Sequence, residues 1–235
     1  PPPPPPHNYT LYRSSAASDV YKRQGWMRSD YEQAGLTYDR AGARIDRMVE
    51  AIEILRGLFG DGPVHFDGQH YRIDGLEGFP KPIQRPHPPF LIGGGGPRFL
   101  GLAGRHADIV GINFNLAAGA ITAELGSDAT AERFAEKLGW VGDGAGDRFD
   151  DLEIQVRVFV VSVTDDRQGM AELLAGGFGL TPEQGLETPF ALVGTPSQIA
   201  EDLRERRERF GINYVVVGQD VVDDFAPVVA ELAGT

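Results

Sequence analysis

The sequence predicts an α/β fold built on a parallel sheet. Three observations point there. Short apolar runs at residues 90–92, 108–112, 154–163 and 214–217 are separated by stretches of helical period. These runs are continuous rather than alternating, as in strands covered on both faces. The first of them climbs into Gly93-Gly94-Gly95-Gly96 and then Pro97, which reads as strand, glycine turn and helix start in succession. Strands separated by helices imply right-handed crossovers between parallel neighbours.

The elements follow in chain order. Residues 30–59 read as helix, because Ile45, Met48, Val49, Ile52 and Leu55 recur at three- and four-residue spacing between charged residues. Gly60 to Gly62 stop it. Val64 and Phe66, then Asp67-Gly68, then Tyr71 and Ile73 predict a hairpin with a tight turn. Residues 80–89 hold five prolines, an irregular approach to the strand at 90–92. Helix is expected over 97–105, strand over 108–112 and helix over 129–138. Residues 142–151, rich in glycine and aspartate, read as a loop. The valine-rich run 154–163 reads as one strand, and 166–175 as helix with Asp165-Asp166 capping it. Thr195-Pro196-Ser197-Gln198 is a capping box with proline at the first helical position, opening a helix to about Phe210. Residues 214–217 read as a buried strand, and 224–232 as the last helix.

Bulk properties narrow the function. The 235 residues are 41% hydrophobic and 24% charged, as in an ordinary globular protein. A net charge of −12 argues against a nucleic-acid surface, and no run has the length of a membrane span. With no cysteine, disulfides and thiolate catalysis are excluded, and a reducing, cytoplasmic setting is expected. His65, His70, His87 and His106 lack paired ligand spacing, so no metal is expected. Arg204, Arg206, Arg207 and Arg209 interleave with Glu201, Glu205 and Glu208, which reads as a solvated helix face.

Residues 1–24 stand apart. Six prolines open them, and the string that follows has no helical or strand period. The string resembles the translation of a sequencing adapter; a natural tail or a basic targeting segment are the alternatives. It is set aside from the fold, and the native N-terminus is expected to be missing.

The glycine turn is the strongest functional signal. Amides at a helix start have no intrahelical acceptor, and the helix dipole there favours an anion. Glycine lets a phosphate approach the main chain because no Cβ intervenes. A phosphorylated cofactor or substrate is therefore expected at Gly93, Gly94, Gly95, Gly96, Pro97 and Arg98. Arg98 is placed either to pair with the phosphate or to stand solvated in the first turn. Asn113 and Asn115, ending the strand at 108–112, fit either substrate orientation or turn chemistry.

Several segments together resemble the luciferase-like monooxygenase superfamily, in its branch of oxidoreductases that use the deazaflavin coenzyme F420. They are Gly25-Trp26 with Tyr31-Glu32-Gln33-Ala34-Gly35, the helix from Tyr38-Asp39-Arg40 to Ile54-Leu55, and Pro82-Ile83-Gln84 leading through Pro88-Pro89 into the four glycines. Ala103-Gly104-Arg105-His106-Ala107-Asp108, Val193-Gly194-Thr195-Pro196 and Phe225-Ala226-Pro227 complete the likeness. It covers residues 25–235.

The resemblance implies a (β/α)₈ barrel, of which this chain holds the helix after strand four and strands five to eight. It implies cofactor phosphate on the amides of Gly94, Gly95 and Gly96, with Pro97 and Arg98 beside them and Ser29 near the cofactor. It implies that Asn113, Asn115, Gln219 and Asp220, at the carboxyl ends of later strands, stand on the substrate side. No catalytic residue carries over, because much of the family's pocket comes from the first four strands. The implied reaction is hydride transfer between the deazaflavin and a small organic substrate; the sister reading is an FMN-dependent monooxygenase using oxygen. A homodimer is implied for the full-length protein. As a partial barrel with two open parallel edges, at 90–92 and 214–217, this chain alone is expected to self-pair or aggregate and to be inactive.

Overall fold

A computed structural model describes residues 27–116 and 126–233. The proline-rich opening segment and the Gly25-Trp26 pair lie outside the described residues. The chain divides into two compact units: one runs up to Ile92 and takes in His106–Asp108, the other holds Gly93–Arg105 and everything from Ile109 on.

In the first unit the helical stretch expected over 30–59 is two helices, α1 (Arg28–Gln33) and α2 (Ala41–Phe59). Gly35, with φ of 67°, turns the chain out of α1 through the left-handed region. Asp39 then fixes the start of α2: its carbonyl accepts from Arg44 and its carboxylate pairs with Arg47. The family-like helix therefore begins at Ala41 rather than Tyr38. The hairpin forms as β1 (Val64–Asp67) antiparallel to β2 (Arg72–Leu76). Asp67 pairs with Arg72, so the connection has four residues rather than an Asp-Gly tight turn. The Glu50 carboxylate closes this loop by accepting from the amides of Gln69, His70 and Tyr71 at 2.8–2.9 Å. Desolvation pushes its pKa up, but the three donors outweigh that and hold it below the usual carboxylate value.

The second unit carries the parallel sheet. Its elements are β3 (Leu91–Gly94, entering through Gly93), α3 (Pro97–His106), β4 (Ile109–Ile112), α4 (Ala131–Ala145), β5 (Glu153–Arg157), β6 (Val160–Val163), α5 (Arg167–Phe178), α6 (Pro182–Glu187), β7 (Ala191–Gly194), α7 (Pro196–Phe210), β8 (Ile212–Val216) and α8 (Val222–Leu232). The sheet order is β3-β4-β5-β8, and β4-β5 and β5-β8 are parallel. The edges of this sheet are β3 and β8, the two strands the sequence places there.

The run 154–163 is not one strand. It is β5, on β4 and β8, then β6, parallel to β7. The chain changes partner at Val158 and Phe159, whose amides bond to Val216 and Phe190 carbonyls. The strand β7, buried at all four residues, was not expected, nor was α6. Yet Thr181-Pro182-Glu183-Gln184 carries the same capping box as Thr195-Pro196-Ser197-Gln198, and both boxes close reciprocally. Asp166 caps α5 by accepting from the Gly169 amide.

The expected loop at 142–151 is instead the end of α4 and a 3₁₀ turn over Gly146–Asp151. At the end of α4 glycine is demanded at Gly144, because α3 comes too close there for a side chain. A Cβ on Gly144 would collide with the Gly101 carbonyl, and one on Gly104 with the Val141 carbonyl. Arg206 is also a correction. It is 5% exposed, not solvated, because it falls in the inward stripe with Ile199 and Phe210, and it donates to the Leu186 carbonyl at 3.0 Å. Burial pulls its pKa down to about 10. On the outer face Arg204 pairs with Glu201 and with Glu231 of α8.

An aromatic cluster fills the interior. Phe134 meets Phe210 at 5.2 Å and Phe190 at 5.8 Å between ring centres, and Phe190 meets Phe114 at 4.5 Å. Burying such a side chain contributes about 1.5–3 kcal/mol. The cluster anchors Phe114, the residue between the two strand-end asparagines. Among the described residues, no helix is long and apolar enough to cross a membrane.

Candidate functional site

The carboxyl ends of β3 and β4 lie side by side, because the Asn113 amide donates to the Gly94 carbonyl at 2.9 Å. This brings Gly93–Gly96 against Asn113–Asn115. The four glycines do not play one role there. A Cβ on Gly93 would sit 2.9 Å from the Gly111 carbonyl oxygen. One on Gly94 would strike the Phe99 ring, and one on Gly95 would strike the Phe114 carbonyl and lie 2.5 Å from that of Asn113. None of these four glycines has positive φ, so close packing, not backbone conformation, demands glycine at 93–95. At Gly96 the nearest atom to an added Cβ is Asn115 Oδ1, 3.7 Å away. Gly96 is therefore the open face of the turn.

Gly96 is also the residue at which α3 starts. Its carbonyl accepts from the Leu100 amide at 2.9 Å, the first bond of the helical ladder. A helix start turns its first amides toward this face, and Pro97, the first helical residue, has no amide hydrogen. Pro97 and Arg98 are exposed, whereas Phe99 is buried under the turn.

Asn113 Oδ1 accepts from the Phe114 amide at 2.8 Å, the turn chemistry weighed from sequence. Asn115 is exposed, and its amide donates to Asp128 Oδ2 at 2.6 Å. Gln219 and Asp220 lie in a 3₁₀ turn beyond β8, exposed, at the opposite edge of the sheet; the Asp220 carboxylate occupies the space a Gly218 side chain would take. Ser29 is exposed in the first turn of α1, within the other unit. The structure thus joins the glycine turn to Asn113 and Asn115.

Sequence reasoning missed Lys137 and Asp128. The Lys137 side chain is wholly buried. Its ammonium donates to the Asn113 carbonyl at 2.8 Å, Asp128 Oδ2 at 2.7 Å and the Asp128 carbonyl at 3.3 Å. Arg133 Nε holds Asp128 Oδ1 at 3.1 Å. Desolvation lowers the Lys137 pKa, against the opposing pull of Asp128. A signal existed: Ala131, Phe134, Lys137 and Val141 share one helical stripe, which puts a lysine on an apolar face. Beside Phe114 lies an apolar cavity of about 30 Å³, walled by Phe159, Phe190, Leu174, Phe178 and Ala191. No group of three or more histidine, aspartate or glutamate side chains able to hold a metal occurs among the described residues.

The family model for luciferase-like monooxygenases matches residues 24–178. The FMNH₂-dependent dimethylsulfone monooxygenase of Pseudomonas putida is 26% identical over 253 residues, covering 88% of this chain and 64% of that protein. The F420-dependent glucose-6-phosphate dehydrogenase of Nakamurella multipartita is 27% identical over 161 residues, 67% of this chain and 44% of that protein. The chain therefore spans less than two thirds of either. Among solved structures, the coenzyme F420-dependent tetrahydromethanopterin reductase of Methanopyrus kandleri superposes with a TM-score of 0.66 over 95% of this chain and 79% of its own, at 15% identity. At that identity the likeness carries the fold alone.

Proposed function

This chain belongs to the luciferase-like monooxygenase family, and from that premise we propose that it is the phosphate-holding part of an oxidoreductase using the deazaflavin coenzyme F420. The observation that carries the reading is the open face at Gly96, at the start of a ten-residue helix on a parallel strand's carboxyl end. The phosphate sits at the open face of Gly96, at the start of the helix, with the Arg98 side chain in the same turn. Gly93, Gly94 and Gly95 shape the turn by letting it pack on β4. Asn113 and Asn115 stand toward the substrate, with Gln219 and Asp220 farther round the strand ends. When bound, the deazaflavin ring supplies hydride chemistry to a small organic substrate. A cytoplasmic location and a homodimer for the full-length protein belong to the same reading, as does inactivity of this chain on its own.

The sister reading, an FMN-dependent monooxygenase, is favoured by the dimethylsulfone monooxygenase likeness, which runs over more of the chain than the dehydrogenase likeness does. The two readings share the phosphate site and differ in the ring. Titrating the purified chain with coenzyme F420, FMN and riboflavin, followed by fluorescence, separates them. The expected order is F420 tightest and riboflavin weakest. FMN binding with no response to F420 would replace the first reading by the second. Riboflavin binding as tightly as FMN would remove the phosphate site from both.

A further inference from the structure

We propose that Lys137 is a positioning residue for the phosphate site: together with Asp128 it struts the Asn113–Asn115 loop against Gly96. The inference rests on the phosphate reading above.

The argument starts from the oddity of the group. Lysine is almost never fully buried unless paired, and Lys137 spends its three donors on two residues, Asn113 and Asp128. Asp128 passes the connection on. Its Oδ2 accepts from both the Lys137 ammonium and the Asn115 amide, and its Oδ1 is held by Arg133. Both asparagines of the loop are thus tied to one buried cluster, Asn113 by its carbonyl and Asn115 by its amide. On the other side Asn113 bonds the Gly94 carbonyl, and the Asn115 side chain is the nearest neighbour of a Cβ built on Gly96. The strut ends where the anion would sit.

Stability alone does not account for it. Replacing a buried ion pair by apolar side chains is often neutral or stabilising, and a methionine on this stripe would pack between Phe134 and Val141 without desolvating a charge. Electrostatics adds a second reason. The carbonyls of Asn113 and Phe114 crowd Gly95, and their negative ends oppose an anion at the neighbouring residue. An ammonium bonded to the Asn113 carbonyl offsets one of them. A binding constellation held by such supporting bonds keeps its geometry where a bare loop would not.

The test compares the chain with Lys137→Met and with the double variant Lys137→Met/Asp128→Leu. The double variant leaves no lone carboxylate behind and keeps the experiment open where the single one fails to fold. Each is titrated with FMN and riboflavin, and with the deazaflavin cofactor and its riboside lacking phosphate. The readout is the preference for the phosphorylated member of each pair. In the wild type that preference is expected to be tenfold or more. It should fall at least fivefold in a variant that folds, with riboflavin or riboside affinity within twofold. A preference unchanged within twofold, or an equal weakening of both members, overturns the inference and leaves the phosphate site standing. A wild-type chain without any preference overturns the phosphate reading itself, and the strut with it.

Discussion

Two glycine-rich regions of this chain look alike in sequence and behave in opposite ways. The run Gly93–Gly96 ends a strand and opens a helix, while Gly139, Gly142 and Gly144 lie inside α4. Within each region the glycines divide again. Gly95 and Gly144 are crowded by main-chain carbonyls, whereas Gly139 borders open space and Gly96 meets only the tip of the Asn115 side chain at ordinary contact distance. A glycine is thus read by what stands where its side chain would be, and composition does not tell a loop from a close helix contact.

Substitution by alanine sharpens this division, with the greatest effect at Gly144. There the methyl would drive into the Gly101 backbone, which cannot swing aside. Gly144→Ala is expected to destabilise by about 3 kcal/mol, at the upper end of overpacking costs, measured by urea unfolding of the purified chain. Gly95→Ala meets the Phe114 carbonyl and should cost about 1–3 kcal/mol while shifting the Asn113–Asn115 amides in NMR spectra. Gly139→Ala has nothing within 4 Å and should stabilise by about 0.5–1 kcal/mol through helix propensity. Loss of stability there would break the comparison. Gly96→Ala should cost about 0.5–1 kcal/mol, because glycine is preferred over alanine at the residue that caps a helix start. Its distinguishing effect should fall on ligand preference, lowering the FMN-over-riboflavin ratio severalfold; an unchanged ratio would show that Gly96 is not the open face used.

The parallel sheet, its edges at β3 and β8, the hairpin and the capped helix from Pro196 were legible, because strand runs, turn residues and the Thr195 box are local signals. What escaped was decided by partners distant in sequence. Nothing in 154–163 marks the point where the chain leaves β8 for β7, since apolar residues, among them Val156, Val158 and Val160, run straight through the break. The helix at Ala131–Ala145 outlasted its sequence signal because Gly101 and Gly104 of another helix supply the contact. Sequence reading assigns no element to Ala191–Gly194, although its apolar run has the length of a buried strand. For the candidate site, Gly93–Pro97 and Asn113–Asn115 carry signals local to each, the glycine turn and the strand-end asparagines. Lys137 carries none, because a helical lysine is ordinarily a surface residue, and only the stripe it shares with Phe134 and Val141 marks it as buried.

The near-contact of α3 and α4 has an evolutionary consequence. The helix that begins at the turn lies main chain to main chain against its neighbour, so small size at positions 104 and 144 is inherited as a pair. A lineage that admits a bulky residue at one of them must reseat both helices, and with them the mouth of the turn. Related sequences should therefore show these two positions changing together or not at all.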